Sequence, residues 1–373
     1  MKVAIVHDWL TGMRGGERVL EIFCRLYPDA VIHTLFHNPG RVSKVINNME
    51  VKTSFLQHFP FSRKCYRKYL PLFPLAVEQF DLRGYDLVIS SSHCAAKGVL
   101  TTPDTLHVCY CYTPFRYGWD MYHEYFGREK LNCLERIIIP PVISYLRVWD
   151  SSSSNRVDDF IAISNTVAQR IERYYRREST VIRPPVDTSF FVPGSEQGDF
   201  FLVVSAFVPY KRVDVIVRAF NELGVPLKIV GDGPLRRKIQ GEANRNIEFL
   251  GEVSDSKLRE LYQRCRALIF AGVEDFGLAP LEAQSAGRPV IAYGAGGLLE
   301  TVIDWKTGIF FKEQTPAAVV DAVKTFHGVG FESQVIREHA VQFGIESFEQ
   351  KIKDYIEGRF QEWTQRRKDR ISF

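Results

Sequence analysis

Along its 373 residues the chain alternates short β-branched runs with amphipathic helical patterns. That alternation constrains the fold more than any other feature, because it is the signature of parallel sheets covered by helices. Segments 2–6, 86–90, 107–111 and 159–163 read as strands of a first domain. Segments 200–205, 227–230, 246–250, 267–270 and 289–292 read as strands of a second. The length itself predicts two domains rather than one core. Between them lies a proline-broken extended piece beginning Ile182-Arg-Pro-Pro, which reads as a linker and places the boundary near 185–197. Phe348, Ile352, Tyr355, Ile356, Phe360 and Trp363 recur at helical spacing, so the chain is expected to end in an amphipathic helix that crosses back to the first domain. The expected division is 1–187, 188–345 and a helix over 346–373, in an α/β architecture of two Rossmann-like domains with a cleft between them.

Composition narrows the function classes. Hydrophobic residues make 45% and charged residues 25%, as in ordinary globular proteins. Lys+Arg 48 against Asp+Glu 44 leaves +4, too balanced for bulk nucleic-acid binding, and none is expected as a partner. Seven cysteines without a C-x-x-C spacing predict reduced thiols and a cytoplasmic setting. No apolar run approaches the length of a membrane span.

Five segments carry chemistry. In Glu274-Asp-Phe-Gly-Leu-Ala-Pro-Leu-Glu282, two carboxylates bracket a small-residue turn, and a helix is expected to open at Pro280. The amides around Phe276, Gly277 and Leu278 would then sit at a positive helix end that suits a phosphate. Glu274 and Glu282 would grip hydroxyls on either side of it. Gly15-Gly16, read as lying directly before a helix, allows close backbone approach but lacks the G-x-G-x-x-G pattern of a nicotinamide site. Lys211 and Arg212 lie in a proline turn at a strand's carboxyl edge, where two cations would neutralise a departing diphosphate. Val230-Gly231-Asp-Gly-Pro, followed by Val253-Ser254, offers backbone and short polar groups for a base edge. Tyr293-Gly-Ala-Gly-Gly297 is a glycine loop between a strand and a helix.

In this order the set resembles the retaining glycosyltransferases of the GT-B fold, family 4. The first domain is similar to bacterial O-antigen and exopolysaccharide mannosyltransferases and glucosyltransferases of that family. The segments carrying this likeness are Val6-His-Asp-Trp-Leu-Thr-Gly-Met-Arg-Gly-Gly-Glu, Ser90-Ser-Ser-His93 and Tyr112-Thr-Pro-Phe-Arg-Tyr-Gly-Trp-Asp. The resemblance implies that residues 1–187 form the acceptor side and 188–345 bind a nucleotide-sugar. It implies that Glu274 touches donor sugar hydroxyls and Glu282 the ribose. Lys211 and Arg212 would hold the diphosphate, Gly15 and Gly16 would close over it, and His93 would face the transferred sugar. Tyr112, Arg116, Tyr117 and Trp119 are expected on the acceptor side, where aromatic rings stack on sugars.

Where the family turn carries an arginine, this chain has Ala206, and Arg212 is expected to supply that charge from a neighbouring position. The implied reaction needs no metal and no cofactor beyond the donor, UDP-glucose or GDP-mannose, with a glycan or lipid-linked acceptor in cell-surface polysaccharide synthesis. Arg63, Lys64, Arg67 and Lys68, interleaved with aromatics, suit peripheral contact with the inner face of the cell membrane. Two other readings stay open: a non-catalytic sugar-nucleotide binder, and a GT-B sugar-nucleotide epimerase.

Overall fold

The computed structural model describes residues 1–127 and 131–371. The chain forms two compact units: residues 1–182 together with the chain from Glu349 onward, and Arg183–Phe348. Among the described residues the first unit carries a seven-stranded sheet. Its strands are β1 (Val3–His7), β2 (Val31–Thr34), β3 (Glu50–Thr53), β4 (Leu87–Ser92), β5 (Leu106–Cys111), β6 (Asp159–Ala162) and β7 (Thr180–Val181). They lie in the order β3-β2-β1-β4-β5-β6-β7, and Ile5 of β1 is matched with Ile32 on one side and Ile89 on the other, both parallel.

The second unit carries a six-stranded sheet of β8 (Phe201–Val204), β9 (Leu227–Val230), β10 (Ile247–Gly251), β11 (Leu268–Phe270), β12 (Val290–Tyr293) and β13 (Gly308–Phe311). Their order is β10-β9-β8-β11-β12-β13, again with parallel pairs. The helix Val213–Leu223 shows why the pattern works: Val213, Ile216, Val217 and Phe220 are buried in the core shared with Phe201, Val203 and Ile229. It stops at Gly224, whose φ of 68° needs no side chain.

Each sheet order turns around its first strand. β1 pairs with β2 and β4, and β8 pairs with β9 and β11. Open α/β sheets bind ligands outside the carboxyl ends of their strands at such points.

Four strands were not expected from the sequence: β2, β3, β7 and β13. β3 reads Glu-Val-Lys-Thr and is only half covered, β7 is two residues long, and β13 opens on a glycine. β2, β3 and β7 lack the apolar run that marks a central strand, and in β13 that run is only Ile309-Phe-Phe311. The proline-broken piece is not a free linker either. Val186 N–H donates to Phe343 O at 2.9 Å, and Phe191 is fully buried, so the piece belongs to the second unit from Arg183 on. The helix Ile345–Ile371 starts in that unit and belongs to the first from Glu349. There the guanidinium of Arg359 grips both oxygens of Asp159, at 3.0 and 2.8 Å.

Candidate active site

The second unit sets Lys211 against Glu274 at the β8/β11 switch point. After β8 the chain makes a single 3-10 turn, Pro209–Lys211, and Arg212 takes a left-handed conformation (φ 51°) before the next helix. Lys211 Nζ donates to Glu274 Oε1, which arrives from the loop after β11. The ammonium also lies over the rings of Tyr210 and Phe270, at 5.2 and 5.5 Å. Both charges are mostly buried, at 12% and 19% side-chain exposure, so the pair is only weakly screened by solvent. Close passage of the two loops depends on Gly272, where a Cβ would meet the Lys211 Cα at 2.9 Å.

The helix after Glu274 spans Leu278–Ser285, with Gly277 (φ 103°) before it. It therefore starts two residues earlier than the expected Pro280, because Gly277 reaches a backbone conformation that turns the chain directly into the helix. Pro280 sits in the first turn, where its missing N–H costs nothing. The first amides of that helix have no intrahelical acceptor by construction, which leaves a positive end beside Glu274. Glu282 lies just past the first turn and accepts the hydroxyl of Tyr262 at 2.9 Å. The Phe276 side chain is 3% exposed and packs on Phe343, so only its backbone is available to a ligand.

The glycine segments have causes inside the protein. A Cβ on Gly297 would lie 2.4 Å from Phe276 Cα and 2.5 Å from the Asp275 carbonyl. Gly297 N–H also donates to Glu274 O at 2.8 Å, so this loop sets the position of the Glu274 backbone. A Cβ on Gly231 would meet Ser205 O at 2.0 Å, which fastens the Val230-Gly-Asp-Gly segment to the turn after β8. Ser254 accepts from Lys257 N–H as the cap of the helix Asp255–Arg264, and Val253 is half-buried beside it. Ala206 is exposed. Arg212 does not fill its place as a free cation: its guanidinium lies 3.5 Å from Gln314 O and 3.6 Å from Asp214.

The first unit repeats the arrangement at the β1/β4 switch point. Asp8, directly after β1, is fully buried. Its two oxygens accept the N–H groups of His93, Cys94, Ala95 and Ala96 at 2.6 to 3.0 Å, and His93 Nδ1 lies 2.9 Å away. Burial alone would push the Asp8 carboxyl up, but the His93 contacts outweigh it and hold the group well below the usual range. His93 keeps 29% exposure, with its ring edge on Trp9 at 4.4 Å.

His7 lies beneath. Tyr112 O–H donates to Gly16 O at 3.0 Å, so the Ser91 hydroxyl, 2.9 Å from Tyr112, gives its proton to that phenol. His7 Nδ1, 3.0 Å from Ser91 Oγ, must then be the donor. Burial lowers the His7 pKa to about 4, so the ring is neutral and Nε2 presents a bare lone pair. Nε2 has no hydrogen-bond partner among the described residues. Gly15 and Gly16 are the first two residues of the helix Gly15–Leu26 rather than residues preceding it. The Glu17 carboxylate reaches back to Arg14 N–H at 3.0 Å and starts the helix early.

The structure therefore brings His93, Gly16 and Tyr112 together in one unit; in the other it pairs Lys211 with Glu274, while the Glu282 carboxylate meets Tyr262 and the Arg212 guanidinium meets Asp214 and Gln314. Trp119 is taken up elsewhere. Its Nε1 donates to Asp150 at 2.8 Å, its ring stacks on Tyr174 at 4.6 Å, and Asp150 pairs with buried Lys97 at 3.0 Å. Arg116 and Tyr117 are half-buried, and Tyr117 packs edge-on to Tyr125. The side chains of Arg63 and Lys64 lie outside the described residues, while Arg67 and Lys68 are exposed. Asp8, His7 and Ser91 were not singled out from the sequence. The adjacent His-Asp directly at a strand's carboxyl end is the signal that could have found them.

Residues 186–328 match the family model described as glycosyl transferases group 1. An uncharacterised glycosyltransferase of Methanocaldococcus jannaschii is 31% identical over 177 residues, which is 46% of this chain and 50% of that protein. O-antigen chain mannosyltransferase C of Escherichia coli is 34% identical over 105 residues, 26% of this chain and 28% of that one. The chain thus spans half or less of the length of these curated relatives. The HepE protein of Anabaena, solved in complex with UDP-glucose, superposes with a TM-score of 0.69 at 15% identity, covering 96% of this chain and 100% of that one. At that identity the likeness shows the fold alone. The match of residues 186–328 to the glycosyl transferases of group 1 thus lies within a chain that has the GT-B fold of two Rossmann-like domains.

Proposed function

We propose that the chain is a retaining glycosyltransferase that moves a hexose from a nucleotide-diphosphate sugar to a glycan or lipid-linked acceptor in cell-surface polysaccharide synthesis. The observation that carries this reading is the Lys211–Glu274 pair at the β8/β11 switch point, beside the helix opening at Leu278. A diphosphate laid on that helix end would take Lys211 as its counter-charge. Glu274, released from the lysine, would accept hydroxyls of the sugar, and Glu282 those of the ribose. The donor in this reading is UDP-glucose or GDP-mannose, the first carried by the HepE complex and the second in keeping with the mannosyltransferase relative. The leaving diphosphate carries the developing charge, and Lys211, Arg212 and the helix end meet it electrostatically without a metal. His93 and Asp8 would serve the sugar side, and a front-face route with retention follows the family resemblance.

Exposed Ala206, standing where the family has an arginine, favours a second reading as a non-catalytic binder of sugar nucleotides. Nucleotide release from UDP-glucose and GDP-mannose, with and without a polyprenyl-linked glycan, separates the readings. Release that falls about 100-fold or more in Glu274→Ala supports transfer. A donor that raises the melting temperature yet is never turned over would leave the binder, and a donor-only reaction giving an epimer would identify an isomerase.

A further inference from the structure

The first unit carries a second concentration of chemistry, at the β3 edge of its sheet. Lys2 alternates with Ala4 and Val6, so it lies on the face of the sheet that bears their core. His33 of β2 is matched with Val6 on one side and with Lys52 of β3 on the other, which puts its ring and the Lys52 side chain on that same face. The loop after the helix Phe73–Glu78 folds over them, anchored by buried Leu82. Its Phe80 and Tyr85 meet the His33 ring edge-on, at 5.3 and 5.9 Å between centroids. Between strands and loop lies a cavity of about 510 Å³, the size of a small-molecule site. None of its lining residues belongs to the Asp8–His93 cluster.

Two features of this cavity point to a ligand. His33 is 2% exposed, and neither of its ring nitrogens has a hydrogen-bond partner among the described residues. Burial lowers its pKa to about 4, so the ring is neutral and offers one N–H and one lone pair. Leaving both unmade costs free energy, and hydroxyl groups, which donate and accept, would satisfy both. The second feature is charge. Lys2, Lys52 and Arg83 line the cavity against one acid, Asp81. Arg83 grips Asp81 with two N–H groups, at 2.8 and 2.7 Å, which leaves the rest of its five donors for a ligand. Lys52 lies 3.4 Å from Glu50. The Lys2 ammonium stands over the Tyr85 ring at 4.9 Å and has no ion pair among the described residues. Cations at the rim, an unpartnered imidazole in the wall and two aromatic rings beside it match an anion that also carries hydroxyls and a carbon face.

We propose that this cavity is a second binding site, taking a small phosphorylated polyol whose phosphate meets the cations at the rim and whose hydroxyls reach His33. Binding draws the exposed Lys52 side chain off the ring and toward the phosphate. This goes beyond the sugar-transfer reading and does not depend on it. Glucose 6-phosphate tests it on the full chain, with glucose and inorganic phosphate as partial probes. Imidazole signals of isotope-labelled protein are followed by NMR, those of His33 being assigned by their loss in His33→Phe. Glucose 6-phosphate is expected to shift the His33 signals and leave those of His93 in place, and each partial probe should bind at least about tenfold more weakly. Lys52→Gln and Arg83→Gln, both at exposed positions, should each weaken glucose 6-phosphate binding about tenfold by calorimetry at an unchanged melting temperature, and His33→Phe should weaken it about fivefold. The proposal fails if the His33 signals do not move, or if the double variant of Lys52→Gln with Arg83→Gln binds like the wild type. It fails equally if inorganic phosphate binds as tightly as the sugar phosphate, or if the His93 signals move in place of those of His33.

Discussion

Asp8 is a carboxylate without solvent whose oxygens are filled by four backbone N–H groups and the His93 imidazole. It is a positioning residue: it fixes which nitrogen of His93 faces inward and leaves the other turned outward. Replacing it by asparagine sets an amide N–H₂ against backbone donors, so Asp8→Asn should cost about 1–3 kcal/mol in stability. Under the proposed reading, misplacing His93 by an ångström should lower turnover about 100-fold while the donor KM stays near its wild-type value. Normal turnover would show that His93 needs no such support. Glu274, Glu282 and Lys211 could be singled out as candidates in the sequence because their spacing and turn chemistry are local. Asp8 was not, because its partners come from a loop some 85 residues away and only the parallel pairing of β1 with β4 brings them together.

At the scale of elements, the site is a set of loops wedged by glycines. Gly297→Ala would drive a methyl group into the Asp275–Phe276 backbone, which leads into the helix start at Leu278 and cannot give way cheaply. A loss of at least about 2 kcal/mol is expected, read by chemical denaturation, with weaker donor binding because Glu274 moves with its carbonyl. Gly12, with open space around it, is the control: Gly12→Ala should leave stability within about 0.5 kcal/mol. The central strands other than β2, whose run is broken by His33, and the helix Val213–Leu223 could be read from apolar runs and period alone. The edge strands β3, β7 and β13 could not, because an edge is covered on fewer sides and its sequence carries less of the pattern. The glycine loops were read as ligand cradles from sequence. The structure gives their glycines a nearer cause, the close approach of one loop to another.

At the scale of the whole molecule, three imidazoles are buried neutral. Burial lowers His7, His33 and His107 each to about 4. In the unfolded chain the same groups titrate near the ordinary value of about 6.5. Between these limits the unfolded state binds more protons, so stability rises with pH there. The contribution is complete above about pH 6.5 and is lost as pH falls toward 4, at up to about 3 kcal/mol for each ring. Melting temperatures across that range should fall steeply, and His33→Phe, whose ring nitrogens have no partner among the described residues, should flatten the slope. Each sheet also sets a basic side chain against a carboxylate where its strand order turns, His93 with Asp8 and Lys211 with Glu274. Lys211 is thus already neutralised by a resident anion, and under the proposed reading an anionic ligand must displace that carboxylate. Free phosphate or pyrophosphate would strand the ejected glutamate with nothing to accept from, whereas a ligand bearing hydroxyls next to its phosphates rehouses it. Under the proposed reading, selectivity against the abundant inorganic anions of a cell is built into the Lys211–Glu274 pair.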